Sequence, residues 1–140
     1  IPLAGGDSVN LSMNPAGNPR ISADGRLIAC TYYDETNRKW GNAILTLERG
    51  ALQRFFTLPH SADENTLQWY SGGASLTYIN TRDGISNIWS MPANGGEPKQ
   101  LTNFTLGLIF QYGWSKDGKY LALARGQQST TDVVLISENK

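Results

Sequence analysis

Apolar and polar residues alternate in short runs along the whole chain, and the runs are separated by breaks carrying glycine, aspartate or proline. In Thr66-Leu-Gln-Trp69 the alternation puts Leu67 and Trp69 on one face of a strand. Leu76-Thr-Tyr-Ile-Asn80, Asn87-Ile-Trp-Ser-Met91 and Lys99-Gln-Leu-Thr102 read as three further strands. Asp83-Gly84 supplies a hairpin turn between the second and third, because both residues tolerate positive φ. Pro92 to Pro98 makes the next turn, since proline has no amide hydrogen to give a ladder. The same order predicts strands near 20–22, 27–33, 43–48 and 52–58 upstream, and near 109–114, 120–125 and 132–137 downstream. No long helix is predicted, and 59–65 reads as a polar loop joining two units.

One short pattern returns three times. It runs Ile21-Ser-Ala-Asp-Gly-Arg-Leu-Ile-Ala-Cys30, Trp69-Tyr-Ser-Gly-Gly-Ala-Ser-Leu-Thr-Tyr78 and Trp114-Ser-Lys-Asp-Gly-Lys-Tyr-Leu-Ala-Leu123. Its turn glycine falls at Gly25, Gly73 and Gly118, steps of 48 and 45 residues. Four antiparallel strands in about 40–45 residues make one blade of a β-propeller. The expected class is all-β, with about three blades' worth of a larger ring of roughly six to eight blades.

The expected division is 18–60 and 61–104 for two blades, and 105–140 for a last blade without its outer strand. Residues 1–17 would end a preceding blade, with Ser8-Val-Asn-Leu11 as its fourth strand. Ile1 and Ile136 both align with Met91, so the end of a third strand is encoded twice. The expectation is a segment of a longer propeller. The other way to close a ring is a head-to-tail homodimer of six blades.

Trp114 to Ala122, Arg82-Asp-Gly-Ile-Ser-Asn-Ile-Trp89 and Gly95-Gly-Glu-Pro-Lys-Gln-Leu-Thr102 together resemble the TolB-like β-propeller repeat. The resemblance covers nearly the whole chain. Ser71-Gly72 departs from the Pro-Asp typical of the second turn, and Ile21 stands where tryptophan is typical. The C-terminal portion also resembles propellers that end large bacterial proteins with a protein-kinase or winged-helix domain at the N-terminus. That resemblance implies a non-enzymatic sensory or interaction module. Similar propellers occur in prolyl-oligopeptidase-like serine peptidases, where the ring filters substrates for a catalytic domain. This is the rival expectation.

Composition narrows the partners. The chain has 140 residues, 12 basic and 12 acidic, and no net charge. Nothing in that balance points to nucleic acid or an anionic membrane. No apolar run reaches the ~20 residues that span a bilayer. The compartment stays open between cytoplasmic and periplasmic or extracytoplasmic. The expected partner is a protein, a peptide or a small molecule at the propeller mouth.

Few residues are left for chemistry. Cys30 is the lone cysteine and ends an apolar strand, so it reads as core. His60 is the sole histidine, and no Gly-x-Ser-x-Gly elbow accompanies it. Asp24 and Asp117 sit in Asp-Gly turns and lack the spacing of a calcium loop. The pairs Gly5-Gly6, Gly72-Gly73 and Gly95-Gly96 precede no helix pattern, so they are not phosphate loops. Asn10 and Asn103 match the glycosylation pattern without further support. Trp69, Trp89 and Trp114 hold fixed blade positions and read as packing between blades. Two residues remain as candidate ligand contacts. Trp40 lies in the long loop expected in the first blade, and Arg82 lies beside the Asp83-Gly84 turn. No catalytic residue, cofactor or metal ligand is expected.

Overall fold

The computed structural model describes residues 5, 7–70, 73–127 and 130–137. Ile1 to Ala4, the Ser71-Gly72 turn and Lys140 lie outside the described residues. Three antiparallel sheets follow one another along the chain. The first holds β1 (Ala16–Ile21), β2 (Leu27–Asp34), β3 (Lys39–Thr46) and β4 (Leu52–Phe56) in sequence order. The second holds β5 (Ala62–Tyr70), β6 (Ser75–Arg82), β7 (Ile85–Pro92) and β8 (Lys99–Gln100). The third holds β9 (Leu108–Trp114), β10 (Tyr120–Gln127) and β11 (Thr130–Ser137). These are three propeller blades, the last with three strands among the described residues.

Turn chemistry sets the strand ends. Ser22 Oγ donates to Asp24 Oδ1 at 2.6 Å, Arg26 N donates to the same oxygen at 3.1 Å, and Leu27 N donates to Ser22 Oγ at 2.9 Å. Ser115, Asp117, Lys119 and Tyr120 repeat that network in the third blade. Gly25 and Gly118 follow the aspartates with φ of 71° and 70°, where a Cβ would be strained. Asp24 and Asp117 are therefore turn formers, and no cation is needed to explain them. At the other end of the blade, Asp83 and Gly84 both have positive φ and close a two-residue hairpin in which Arg82 pairs with Ile85.

Three expected features differ in the structure. Ala62 to Asn65 belong to β5 rather than to a joining loop, because Ala62 and Asp63 pair with Asn80 and Ile79. Trp40 lies in β3 rather than in a loop, where its ring packs 5.4 Å from that of its cross-strand partner Tyr33. Ser8 to Leu11 form no strand. Leu11 instead packs on Ile28, Cys30, Ala43 and Leu45, on the face of the first blade turned away from the second. Its carbonyl lies where a Cβ on Gly50 would be, so only glycine fits at that turn.

Every blade is apolar on both faces, and the core lies between blades. Ala29, Ile44 and Phe56 meet Leu67, Leu76, Tyr78 and Met91 in the first seam. Ile79 and Ile88 meet Ile109, Tyr112, Leu121 and Leu123 in the second. The tryptophans tie the seams. Trp69 Nε1 donates to the Arg20 carbonyl at 2.7 Å, and the equivalent Trp114 Nε1 donates to Thr77 Oγ1 at 3.0 Å. Ile21 holds the same place in the first blade and is 60% exposed. Arg54 bridges the first seam by donating to the carbonyls of Pro92 and Ala93 at 3.0 and 3.1 Å. Cys30 is buried, and burial alone pushes its thiol pKa up, away from a reactive thiolate.

Two outcomes follow from this packing. Leu76 is wholly buried in the first seam, so Leu76→Ala should cost about 2–5 kcal/mol. Ile21→Ala should stay within about 0.5 kcal/mol, since its side chain meets mostly solvent. Urea unfolding of the two variants checks the contrast. The Asp24 carboxyl is held below its ordinary value first by the Ser22 hydroxyl and then by the Arg26 amide. Its folded pKa is the lower one, so its contribution is present above the unfolded value and fades as pH falls through the folded value. Ser22→Ala should raise the Asp24 pKa toward 3.8 in a carboxyl-carbon NMR titration.

Candidate functional site

Successive blades meet through their inner strands, with β1 and β2 against β5, and β5 and β7 against β9. The first strands form the inner wall of the blade stack. Each of the three ladders loses register along that wall. The shifts fall between Gly17 and Arg20 in β1, between Asp63 and Gln68 in β5, and opposite Ala124 and Arg125 in β9. A bulge leaves a residue unpaired and turns its side chain to a new direction. Asn18 sits in the first bulge with φ of 49°, and its amide donates to Asn65 Oδ1 at 2.8 Å in the second. Phe110 is the unpaired residue of the third, and it is 50% exposed.

The bulges open a cleft of about 400 Å³ on this wall. Arg20 comes from the first blade, Asp63, Asn65 and Gln68 from the second, and Phe110 and Gln111 from the third. The floor is rigid. The Tyr112 hydroxyl donates to the Thr66 carbonyl at 2.9 Å and lies 3.0 Å from Thr77 Oγ1. Gln68 Nε2 donates to the Tyr112 carbonyl at 2.9 Å. Burial pushes the Tyr112 pKa well above the usual phenol range, so the ring is a structural donor rather than an acid. Asp63 Oδ1 accepts from the Asn65 amide, and among the described residues the Arg20 guanidinium donates only to the carbonyl of its neighbour Pro19. A cation, a carboxylate, neutral amides and two aromatic residues thus line a concave surface. Such a lining can offer an ion pair, hydrogen bonds and aromatic contact. No group of three His, Cys, Asp or Glu that could hold a metal occurs among the described residues.

Trp40 and Arg82 do not line this cleft. Strand alternation puts Trp40 on the face of the first blade that carries Asn42 and Ile44, toward the second blade. Arg82 shares the face of Asn80 and Tyr78, toward the first blade. They lie on the two sides of one seam, at the hairpin end. Trp40 is 56% exposed. The Arg82 guanidinium stacks over the Trp89 ring of its own blade, 4.8 Å from the centroid, and among the described residues it bonds no carbonyl of a neighbouring blade. His60 is exposed beside the turn into β5. Sequence reasoning missed the bulged wall because a bulge shifts the alternation by one, and in polar stretches such as Asp63 to Thr66 there is no apolar pattern to shift.

No protein-family model and no curated protein matches the chain. Solved structures do. TolB from Acinetobacter baumannii superposes with a TM-score of 0.67 at 22% identity, over 86% of this chain and 29% of that one. The β-propeller domain of the Trilobed protease from Pyrococcus furiosus, which has an open velcro topology, gives 0.57 at 19% identity, over 90% of this chain and 40% of that one. The acylaminoacyl peptidase of Pyrococcus horikoshii gives 0.52 at 18% identity, over 80% and 17%. The chain spans less than half the length of each of these structures, and its fold is that of TolB-like β-propeller blades, part of a larger ring.

Proposed function

We propose that the chain is a non-catalytic binding module whose ligand, a protein, a peptide or a small molecule, sits on the bulged inner wall. The observation that carries this reading is the cleft to which all three first strands contribute. Rigid scaffolds with variable side chains at one surface are the usual basis of such binding. Arg20 and Phe110 are the main contacts, because neither side chain is engaged in the seams. Trp40 and Arg82 would extend contact along the hairpin end of the first seam. In the parent protein the module belongs to the C-terminal, sensory part of a bacterial signalling protein of the kinase or winged-helix type. The rival reading is a substrate gate of a serine peptidase, which the structural likeness to the two Pyrococcus peptidases favours.

Panning a random peptide library against the chain tests the binding reading. Selected peptides should bind at least about tenfold more weakly to Arg20→Ala/Phe110→Ala, a loss of about 1.4 kcal/mol. Melting temperature should stay nearly unchanged in that variant. Peptides that bind the double variant as well as the native chain would refute the inner wall as the site. Reading the coding sequence on both sides of the segment separates the two parents. A kinase or winged-helix domain upstream is the expected result, and a hydrolase domain downstream would make the chain a gate.

A further inference from the structure

The two seams differ in one respect that packing does not explain. In the second seam the buried polar side chains find partners. Thr77 Oγ1 takes the Trp114 indole, the Tyr112 hydroxyl has both Thr66 and Thr77, and Thr81 pairs with Ser86. In the first seam Asn87 is bonded to Thr102 and Phe104, but three other buried polar side chains keep unpaired atoms. Asn42 is wholly buried on the first blade, and its Oδ1 has no partner. Facing it from the second blade, Asn80 is 1% exposed with both Oδ1 and Nδ2 unpaired, and the Tyr78 hydroxyl is unpaired as well. An unpaired buried polar group costs about 1–3 kcal/mol, and three side chains in one seam would be a heavy penalty for a marginally stable fold.

We propose that the first seam holds a small cluster of bound water that bridges Asn42, Asn80 and Tyr78. The chemistry of the orphans selects the occupant. Asn80 exposes a donor and an acceptor in either orientation of its amide, so a cation satisfies only half of it. Water donates and accepts. Asn42 has its orientation fixed, because Nδ2 makes a long 3.4 Å contact to the Glu64 carboxylate and the reverse orientation would set two oxygens together. Its oxygen is therefore left for the seam. All three side chains are closed to bulk solvent, which excludes a larger ligand. Buried polar sites of this kind hold water that makes about three hydrogen bonds. The seam is also loosely closed at its other end, where a cleft of about 480 Å³ lies between Leu27, Ile44, Gln53, Arg54 and Ala93.

Two measurements on the 140-residue chain decide it. Magnetisation transfer from water to the Asn80 side-chain amide protons should give cross-peaks in a rotating-frame NMR experiment. Tyr78→Phe gives a test by sign. If water satisfies the hydroxyl, its removal loses a hydrogen bond, and the melting temperature should fall by about 2–5 °C. If the seam is dry, removing an orphan hydroxyl should raise the melting temperature. Absence of water transfer, a rise on Tyr78→Phe, or a crystal structure showing an ion or direct Asn42–Asn80 pairing in the seam would overturn the proposal.

Discussion

Everything in this molecule depends on covering two apolar faces per sheet. A single blade here has Ile28, Cys30 and Leu45 on one side and Ala29 and Ile44 on the other, so each blade gains stability from whatever covers either side. At about 25 cal/mol per Å² of apolar surface, the seam between sheets outweighs any single turn or ion pair. Ion pairs confirm the ranking by their weakness. The two described, Arg49 with Glu48 and Lys119 with Asp117, are well exposed, and such pairs are worth little. The blade is thus the unit of sequence, and the seam is the unit of stability.

The same constraint explains the outer surfaces of the stack. On the first blade, Leu11 covers part of the face that a preceding blade would take. On the third blade, Val133 and Leu135 are 83% and 67% exposed on the face that a following blade would take. Tyr120 on β10 is also largely open. An apolar face of this size invites a neighbour, whether another blade of the same ring or a second copy. In the two seams already formed, the later blade brings apolar strands and a tryptophan that donates a hydrogen bond.

Much of the fold was legible because propeller turns use residues with narrow backbone preferences. Asp24-Gly25, Asp83-Gly84 and Asp117-Gly118 announced themselves, and the strands between them alternated cleanly. The packing role of Trp69 and Trp114 was legible from their equal places in the repeat. Trp40 was misplaced because the turn before it hides its chemistry. Asp34 accepts from the amides of Thr36 and Asn37 and from the Asn37 side chain, and Arg38 takes φ of 51°, so four residues suffice to reverse the chain. The inner wall was not legible at all. Its bulges depend on how three strands from distant parts of the chain crowd one axis, and no local pattern records that. The unpaired Asn80 was equally silent, since an asparagine ending an apolar run reads as a strand edge until both its neighbours are seen.

The tryptophan bonds have a direction. Trp69 donates back to Arg20, and Trp114 donates back to Thr77, so the donor always belongs to the later blade and the acceptor to the earlier one. During synthesis the acceptor has already left the ribosome when its donor emerges. The side chains of Arg54 and Gln68 run the opposite way, since their acceptors at Pro92, Ala93 and Tyr112 are made after them, so each seam is closed by bonds of both orders.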